Sequence, residues 1–386
     1  MDIAYLTNFI IDPNAPVAKH QTGHGGRCAY MVKGLQTVAR SLQVCTVEPP
    51  AIAFKFKLKS KYYRTFSQQV YHPWAEPAVS RYYADRFSQW LARTNVDVVL
   101  SPDINLISFL ECDRPLVLWV DTLYAGLMDF YPDYARLCPE TQEHLQLLDR
   151  QTLDRCDLLL FSSEWTARTA IEQYNTDANK IKIVPFGANI DSDRSLDEIQ
   201  TAIAAKPQQP CKLLFIGVDW ERKGGDIALT VARELNARGV ETEIAIVGCQ
   251  PPTPLPEFAK LHGFIDKSTP EGRQQFHRLF DESHFLIVPS RSECFGHVFC
   301  EANAFGVPCL STDVGGISSV IRDDANGKTF AIDAPTSDYC DYVCRKMEQP
   351  QEYDRLAISA FQEYRNRLNW KVASQQVAKW LDRLQI

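Results

Sequence analysis

Short runs of aliphatic and β-branched residues alternate along most of the chain with longer stretches whose apolar positions recur at helical spacing. In the first half the runs predicted as strands are residues 3–9, 43–47, 96–100, 116–120, 158–161 and 181–184. Helix-period stretches lie between them at 26–41, 77–94, 135–155 and 164–174. Ser162 and Ser163 stand before the last of these, where a hydroxyl caps free helix amides. Alternation of this kind predicts a parallel sheet wound on both faces.

The alternation then restarts. Residues 189–210 are polar, with Asp191-Ser-Asp193 and Lys206-Pro-Gln-Gln-Pro210, and read as a hinge and linker between domains at 1–188 and 211–366. Beyond it, strands are predicted at 211–216, 243–247, 285–288 and 307–311, with helices at 226–238, 270–280 and 297–305. Gly239 and Gly306 fall where helices of this register end. The last stretch, 370–384, is strongly amphipathic and needs a surface to cover. The fold class is α/β: two doubly wound, Rossmann-like domains with a cleft expected between them. Ligands of such sheets lie beyond the carboxyl ends of the strands.

With 386 residues the chain is long for one core, and 45% apolar content describes a globular protein. A net charge of −7 argues against nucleic acid held by its backbone. The first residues lack a basic n-region, and no apolar run is long enough to span a bilayer. The twelve cysteines, among them Cys45, Cys211, Cys300 and Cys309, sit inside apolar segments without Cys-x2-Cys spacing. They read as reduced, buried small hydrophobes of a cytoplasmic protein, with no zinc site and no other metal expected.

Three constellations carry candidate chemistry. Thr22-Gly-His-Gly-Gly-Arg27 opens a helix after the first strand, where glycines let backbone approach a ligand and free amides attract anions. A flexible loop is the plainer reading, and the spacing is wrong for a Gly-x-Gly-x-x-Gly dinucleotide site. Gly217-Val-Asp-Trp-Glu-Arg-Lys-Gly-Gly225 follows the first strand of the second domain. Arg222 and Lys223 stand there at a helix entrance that disfavours cations, an objection an anionic diphosphate would remove. Glu293-Cys-Phe-Gly-His-Val-Phe-Cys-Glu301 places one acid in a strand-to-helix loop and another one turn into a largely apolar helix. A buried carboxylate needs partners, and a ribose diol supplies two hydroxyl donors.

The Glu-x7-Glu pattern, Ala302-Asn-Ala-Phe-Gly-Val-Pro308 and Asp313-Val-Gly-Gly-Ile317 closely resemble retaining glycosyltransferases of the GT-B fold, family 4, also called glycosyl transferases group 1. Gly25-Gly26, Ser162-Ser-Glu-Trp165, Lys180-Ile-Lys-Ile-Val-Pro-Phe-Gly187, Arg222-Lys-Gly224, Gly263-Phe-Ile265 and Asn326-Gly327 agree with it. The resemblance implies two domains facing across a cleft, with the closing segment 367–386 packing back on the first domain. It implies a nucleoside-diphosphate sugar donor, an unspecified hydroxyl acceptor, no cofactor and no metal. Glu301 would bind the ribose, Lys223 the diphosphate, and Glu293 with the amides of Phe295, Gly296, His297 and Val298 the sugar and phosphates. Gly25 and Gly26 would close on the pyrophosphate. Two positions depart from the pattern. Val218 stands where the family often has Arg, with Arg222 as its substitute. Asp121 stands where many members have His, either as a catalytic group that positions the sugar or acceptor, or as a cap for the next segment.

Residues 54–64, Phe-Lys-Phe-Lys-Leu-Lys-Ser-Lys-Tyr-Tyr-Arg, alternate cations with apolar groups. Read as an extended segment, they are cationic on one face, fitting either a solvated edge or peripheral contact with an anionic acceptor or a membrane's inner face. The functions expected are a metal-independent retaining glycosyltransferase first, then an epimerase or phosphorylase of the same architecture, or a non-catalytic nucleotide-sugar-binding subunit. Donor base, sugar, acceptor and oligomeric state are not encoded in any motif.

Overall fold

The computed structural model describes residues 1–11 and 24–385. Its contacts divide the chain into two units. The first holds residues 1–11, Arg27–Val184 and the chain from Ala373 on; the second holds residues 24–26 and Pro185–Val372. Each is built on one six-stranded, wholly parallel sheet.

In the first unit the order is β1 (Asp2–Thr7), α1 (His24–Gln36), β2 (Ser41–Thr46), α2 (Phe54–Tyr62), α3 (Pro77–Leu91), β3 (Val98–Ser101) and α4 (Ile104–Ile107). Next come β4 (Leu116–Val120), α5 (Tyr124–Leu127), α6 (Pro139–Arg155), β5 (Leu158–Phe161), α7 (Glu164–Tyr174) and β6 (Ile181–Ile183). The strands lie in the order β2-β1-β3-β4-β5-β6. β3, β4 and β5 are buried at every residue, so their unbroken apolar runs reflect helices on both faces. Ser163 caps α7, its Oγ accepting from the Thr166 amide at 3.3 Å.

The second unit runs α8 (Leu196–Ala204), β7 (Cys211–Ile216), α9 (Gly225–Ala237), β8 (Thr242–Val247), β9 (Ala259–Gly263), α10 (Pro270–Glu282) and β10 (Phe285–Ile287). It continues with α11 (His297–Asn303), β11 (Cys309–Thr312), β12 (Gly327–Phe330), α12 (Thr336–Glu348) and α13 (Pro350–Asn366). The strand order is β12-β11-β10-β7-β8-β9. Successive crossovers therefore run one way from β7 and the other way from β10, and these two strands are neighbours. The corresponding reversal in the first sheet lies between β1 and β3. Loops leaving the two strands at such a point diverge and leave a crevice above the sheet edge.

The closing helix α14 (Trp370–Leu381) spends its apolar face on the first unit from Ala373 onward. Ala378 and Leu381 line a small cavity with Met1, Ile3, Leu35 and Val38. Trp380 lies under the Lys182 ammonium, 5.0 Å from ring centre to nitrogen. All twelve cysteines are unpaired, and ten are buried.

Two segments differ from the sequence expectation. Within the polar stretch 189–210 stands α8, held by a reciprocal Ser195–Glu198 capping box and by Ile199 and Ile203, which are buried one turn apart. Two isoleucines among nine residues are too few to stand out from flanking Asp, Gln and Pro. Residues 54–64 are not extended: α2 occupies most of them, followed by a π-helical turn at Tyr63–Ser67. Alternation there read as period two, but only Phe56 turns inward, beside Tyr71 and Cys138. β9 and β12 were missing from the sequence prediction because Ala259-Lys-Leu-His-Gly263 is a half-exposed edge strand and Gly327-Lys-Thr-Phe330 is short and polar.

His284, at the foot of β10, ties the polar stretch to the sheet. Its Nδ1 accepts from the Lys212 amide at 3.0 Å, which leaves Nε2–H to donate to the Pro207 carbonyl at 2.9 Å. Burial, reinforced by the nearby Lys206 ammonium, lowers its pKa to about 4. An unfolded histidine titrates near 6.5, so the unfolded chain takes up a proton that the folded one refuses. Stability is expected to fall as pH drops from about 6.5 to 4, by up to roughly 3 kcal/mol from this group. Thermal melts of native protein and His284→Gln across that window check this, with a flatter profile expected for the variant.

Candidate active site

The loops that leave β7 and β10 at the reversal point carry most of the charged groups singled out from the sequence. After β7 comes Gly217-Val-Asp-Trp-Glu-Arg-Lys-Gly224, and after β10 comes Val288-Pro-Ser-Arg-Ser-Glu-Cys-Phe-Gly296. The two loops are fastened together by several bonds. The Arg291 amide donates to the Arg222 carbonyl at 2.7 Å, and Arg222 Nη1 donates to the Ser292 carbonyl at 3.0 Å. Arg291 forks onto Asp226, in the first turn of α9, at 2.9 and 2.7 Å. Gly224 is the closest approach between the loops. Its φ is +74°, and a Cβ there would lie 2.0 Å from the Pro289 carbonyl oxygen.

Lys223 and Glu293 meet across this seam as an ion pair, with side chains only 12% and 10% exposed. Gly217 makes room for the lysine, whose Cγ would be 2.8 Å from a Cβ at that position. A cation at the entrance of α9 calls for an anion. The chain supplies one itself, in Glu293. Arg222 is likewise engaged, its amide bonded to Asp219 Oδ1 at 3.0 Å and its guanidinium turned to Ser292. Val218 projects into solvent.

Glu301, one turn into α11, is 5% exposed. Burial raises its carboxyl pKa above the usual glutamate value, partly offset by the charge of Lys267. Lys267 Nζ donates to Glu301 Oε1 at 2.8 Å and to the Asn189 carbonyl at 3.3 Å, and lies 4.8 Å from the Phe276 ring centre. This lysine escaped the sequence reading because it follows β9, the strand that the apolar pattern did not reveal. Phe295 is buried; α11 starts after Gly296, so the His297 and Val298 amides belong to its first turn. The His297 ring is held structurally, stacked on Phe186 at 5.5 Å with Nδ1 3.0 Å from the Gly187 carbonyl oxygen.

Gly25 and Gly26 lie in the first turn of α1; Thr22 and Gly23 lie outside the described residues. Arg27, the next residue, is buried, forms an ion pair with Asp121 after β4, and donates to the Pro102 carbonyl after β3 at 3.2 Å. The loop ends after β3 and β4 are thus gathered on one guanidinium. A cation in the first turn of a helix is the signal that could have found it, as it found Arg222 and Lys223. The first amides of α5, those of Tyr124 and Ala125, donate to Asp149 at 3.0 and 2.9 Å. Among the described residues no group of three or more His, Cys, Asp or Glu is placed to hold a metal ion.

The family model described as glycosyl transferases group 1 matches residues 197–362, a span that contains Lys223, Lys267, Glu293 and Glu301. Over that span the chain is similar to glycosyl transferases group 1. A D-inositol 3-phosphate glycosyltransferase of Nocardia farcinica is 31% identical over 225 residues, covering 55% of this chain and 49% of that protein. One of Mycolicibacterium smegmatis is 30% identical over 188 residues, covering 46% and 43%. The chain spans about half the length of the curated relatives it matches. Among solved structures, sucrose-phosphate synthase of Thermosynechococcus elongatus superposes with a TM-score of 0.68 at 14% identity, covering 100% and 99%. HepE of Anabaena, in complex with UDP, gives 0.62 at 15% identity, covering 99% and 100%. The architecture is the GT-B fold.

Removing one partner of the Lys223–Glu293 pair strands the other with little solvent. Lys223→Met is expected to destabilise the second unit by about 3 kcal/mol, and Lys223→Met/Glu293→Gln by less. Urea unfolding of the two variants decides it. Equal or greater loss in the double variant would show that the pair is not coupled.

Proposed function

We propose that this chain transfers a sugar from a nucleoside-diphosphate sugar to a hydroxyl acceptor, with retained anomeric configuration and without a metal. The observation that carries the reading is the gathering of Lys223 and Glu293 on the β7 and β10 loops, with Glu301 one turn into the following helix, inside the span similar to glycosyl transferases group 1. Each group has a distinct task. Glu301 accepts from the ribose hydroxyls, whose two donors suit a carboxylate kept from water. Lys223 turns from Glu293 to the diphosphate and stabilises the charge that develops on it as it leaves. Glu293, released, faces the sugar, and the His297 and Val298 amides at the start of α11 offer donors to phosphate or sugar oxygens.

The chemical step breaks the bond from the anomeric carbon to the diphosphate oxygen and makes one to the acceptor oxygen on the same face. The acceptor proton passes to a departing phosphate oxygen. No side-chain nucleophile is needed, and rate comes from orientation and from charge stabilisation. Asp121 is a positioning group in this scheme, because its carboxylate is already committed to the Arg27 guanidinium. The relatives named for an inositol phosphate acceptor and the UDP complex of HepE support the donor and acceptor classes in general terms.

A thermal-shift panel of UDP-, GDP-, ADP- and CDP-sugars should single out one donor base, since a ligand of the native state alone raises the melting point. Glu301→Ala is expected to weaken that donor about a hundredfold while the protein stays folded. Unchanged affinity measured by calorimetry would refute the role given to Glu301.

A further inference from the structure

Helix α2 shows solvent an unusual face. Phe54, Leu58, Tyr62 and Phe66 recur every four residues and are 74%, 53%, 57% and 76% exposed. Three stand on successive turns of α2, and the fourth lies in the π-helical turn that continues it. The Tyr62 and Phe66 rings meet with centroids 5.3 Å apart, so the apolar row is continuous there. Single exposed apolar residues need no explanation, but an aligned row of four large ones does.

The other side of the helix is committed to the protein. Phe56 is buried beside Tyr71 and Cys138, and Lys59 forms ion pairs with Glu76 and Glu140. At about 100° per residue, Lys57 and Lys61 fall along one edge of the apolar row, and Arg64 follows in the next turn. All three are exposed, and none has an acidic partner among the described residues. Residues 49–75 contain five cations and no acid, within a chain of net charge −7.

We propose that this face of α2 docks on an anionic phospholipid membrane. The helix lies in the plane of the interface, with Phe54, Leu58, Tyr62 and Phe66 among the upper acyl chains. Lys57, Lys61 and Arg64 reach sideways to the lipid phosphates, their aliphatic stems following the apolar row. Charge selects this occupant. An anionic surface repels the chain as a whole and attracts it here, so the patch fixes the orientation in which the protein lands. The contact is peripheral, since no helix among the described residues is long and apolar enough to cross a membrane. The inference does not depend on the transferase reading.

Flotation with phosphatidylcholine vesicles, with and without phosphatidylglycerol, tests it. The native protein is expected to float only with the phosphatidylglycerol vesicles, and less so at high salt. Phe54→Ser/Leu58→Ser/Phe66→Ser and Lys57→Glu/Lys61→Glu/Arg64→Glu should each lower partitioning by at least about tenfold. The charge variant keeps every apolar contact, so it remains decisive if the serine variant fails to fold. Absence of binding by the native protein, or binding that neither variant reduces, overturns the proposal. So does a native dimer that the serine variant splits while vesicles capture neither form.

Discussion

Reversal of the crossover direction between β7 and β10 is the constraint on which the rest depends. Two parallel strands whose connections leave in opposite directions cannot share a covering helix at their carboxyl ends. Polar loops fill that position, and charged groups within them lose much of their water. A charge so placed must be paired. Lys223 is paired with Glu293, and Glu301 with Lys267. The first pair joins two loops and the second joins the segment after β9 to α11, so both also hold the crevice in shape.

This pairing changes what binding would mean. A diphosphate arriving at Lys223 would not find a bare cation; it would have to displace the Glu293 carboxylate. The net gain is then a difference between two ion pairs, which favours discrimination over raw affinity. In the proposed reaction the carboxylate set free would meet the sugar, so one exchange would couple recognition of both halves of a donor. Lys267 plays the matching part for Glu301, its charge offsetting part of the rise that burial gives the carboxyl pKa. In the first unit, Arg27 does comparable work at the ends of β3 and β4, pairing with Asp121 and donating to the Pro102 carbonyl.

Much of this was legible in the sequence, for identifiable reasons. Buried parallel strands such as Leu116–Val120 and Leu158–Phe161 are unbroken apolar runs, and neither could be mistaken for a solvent-facing helix. Lys223, Glu293 and Glu301 stood out because each sits where a charge is costly. What stayed hidden was masked by neighbours. α8 buries only two isoleucines amid polar residues, and β9 is an edge strand without an apolar face, so Lys267 behind it went unnoticed. α2 was misread because Lys-Phe-Lys-Leu-Lys satisfies a two-residue period, whereas burial of Phe56 and pairing of Lys59 depend on partners far along the chain.

The exchange at Lys223 is most directly tested by calorimetry of the matched nucleoside and nucleoside diphosphate, on native protein and on Lys223→Met. The account requires diphosphate affinity to collapse in the variant while affinity for the nucleoside holds, because only the former draws the lysine from Glu293. Parallel loss of both ligands, or retention of the diphosphate, would contradict it.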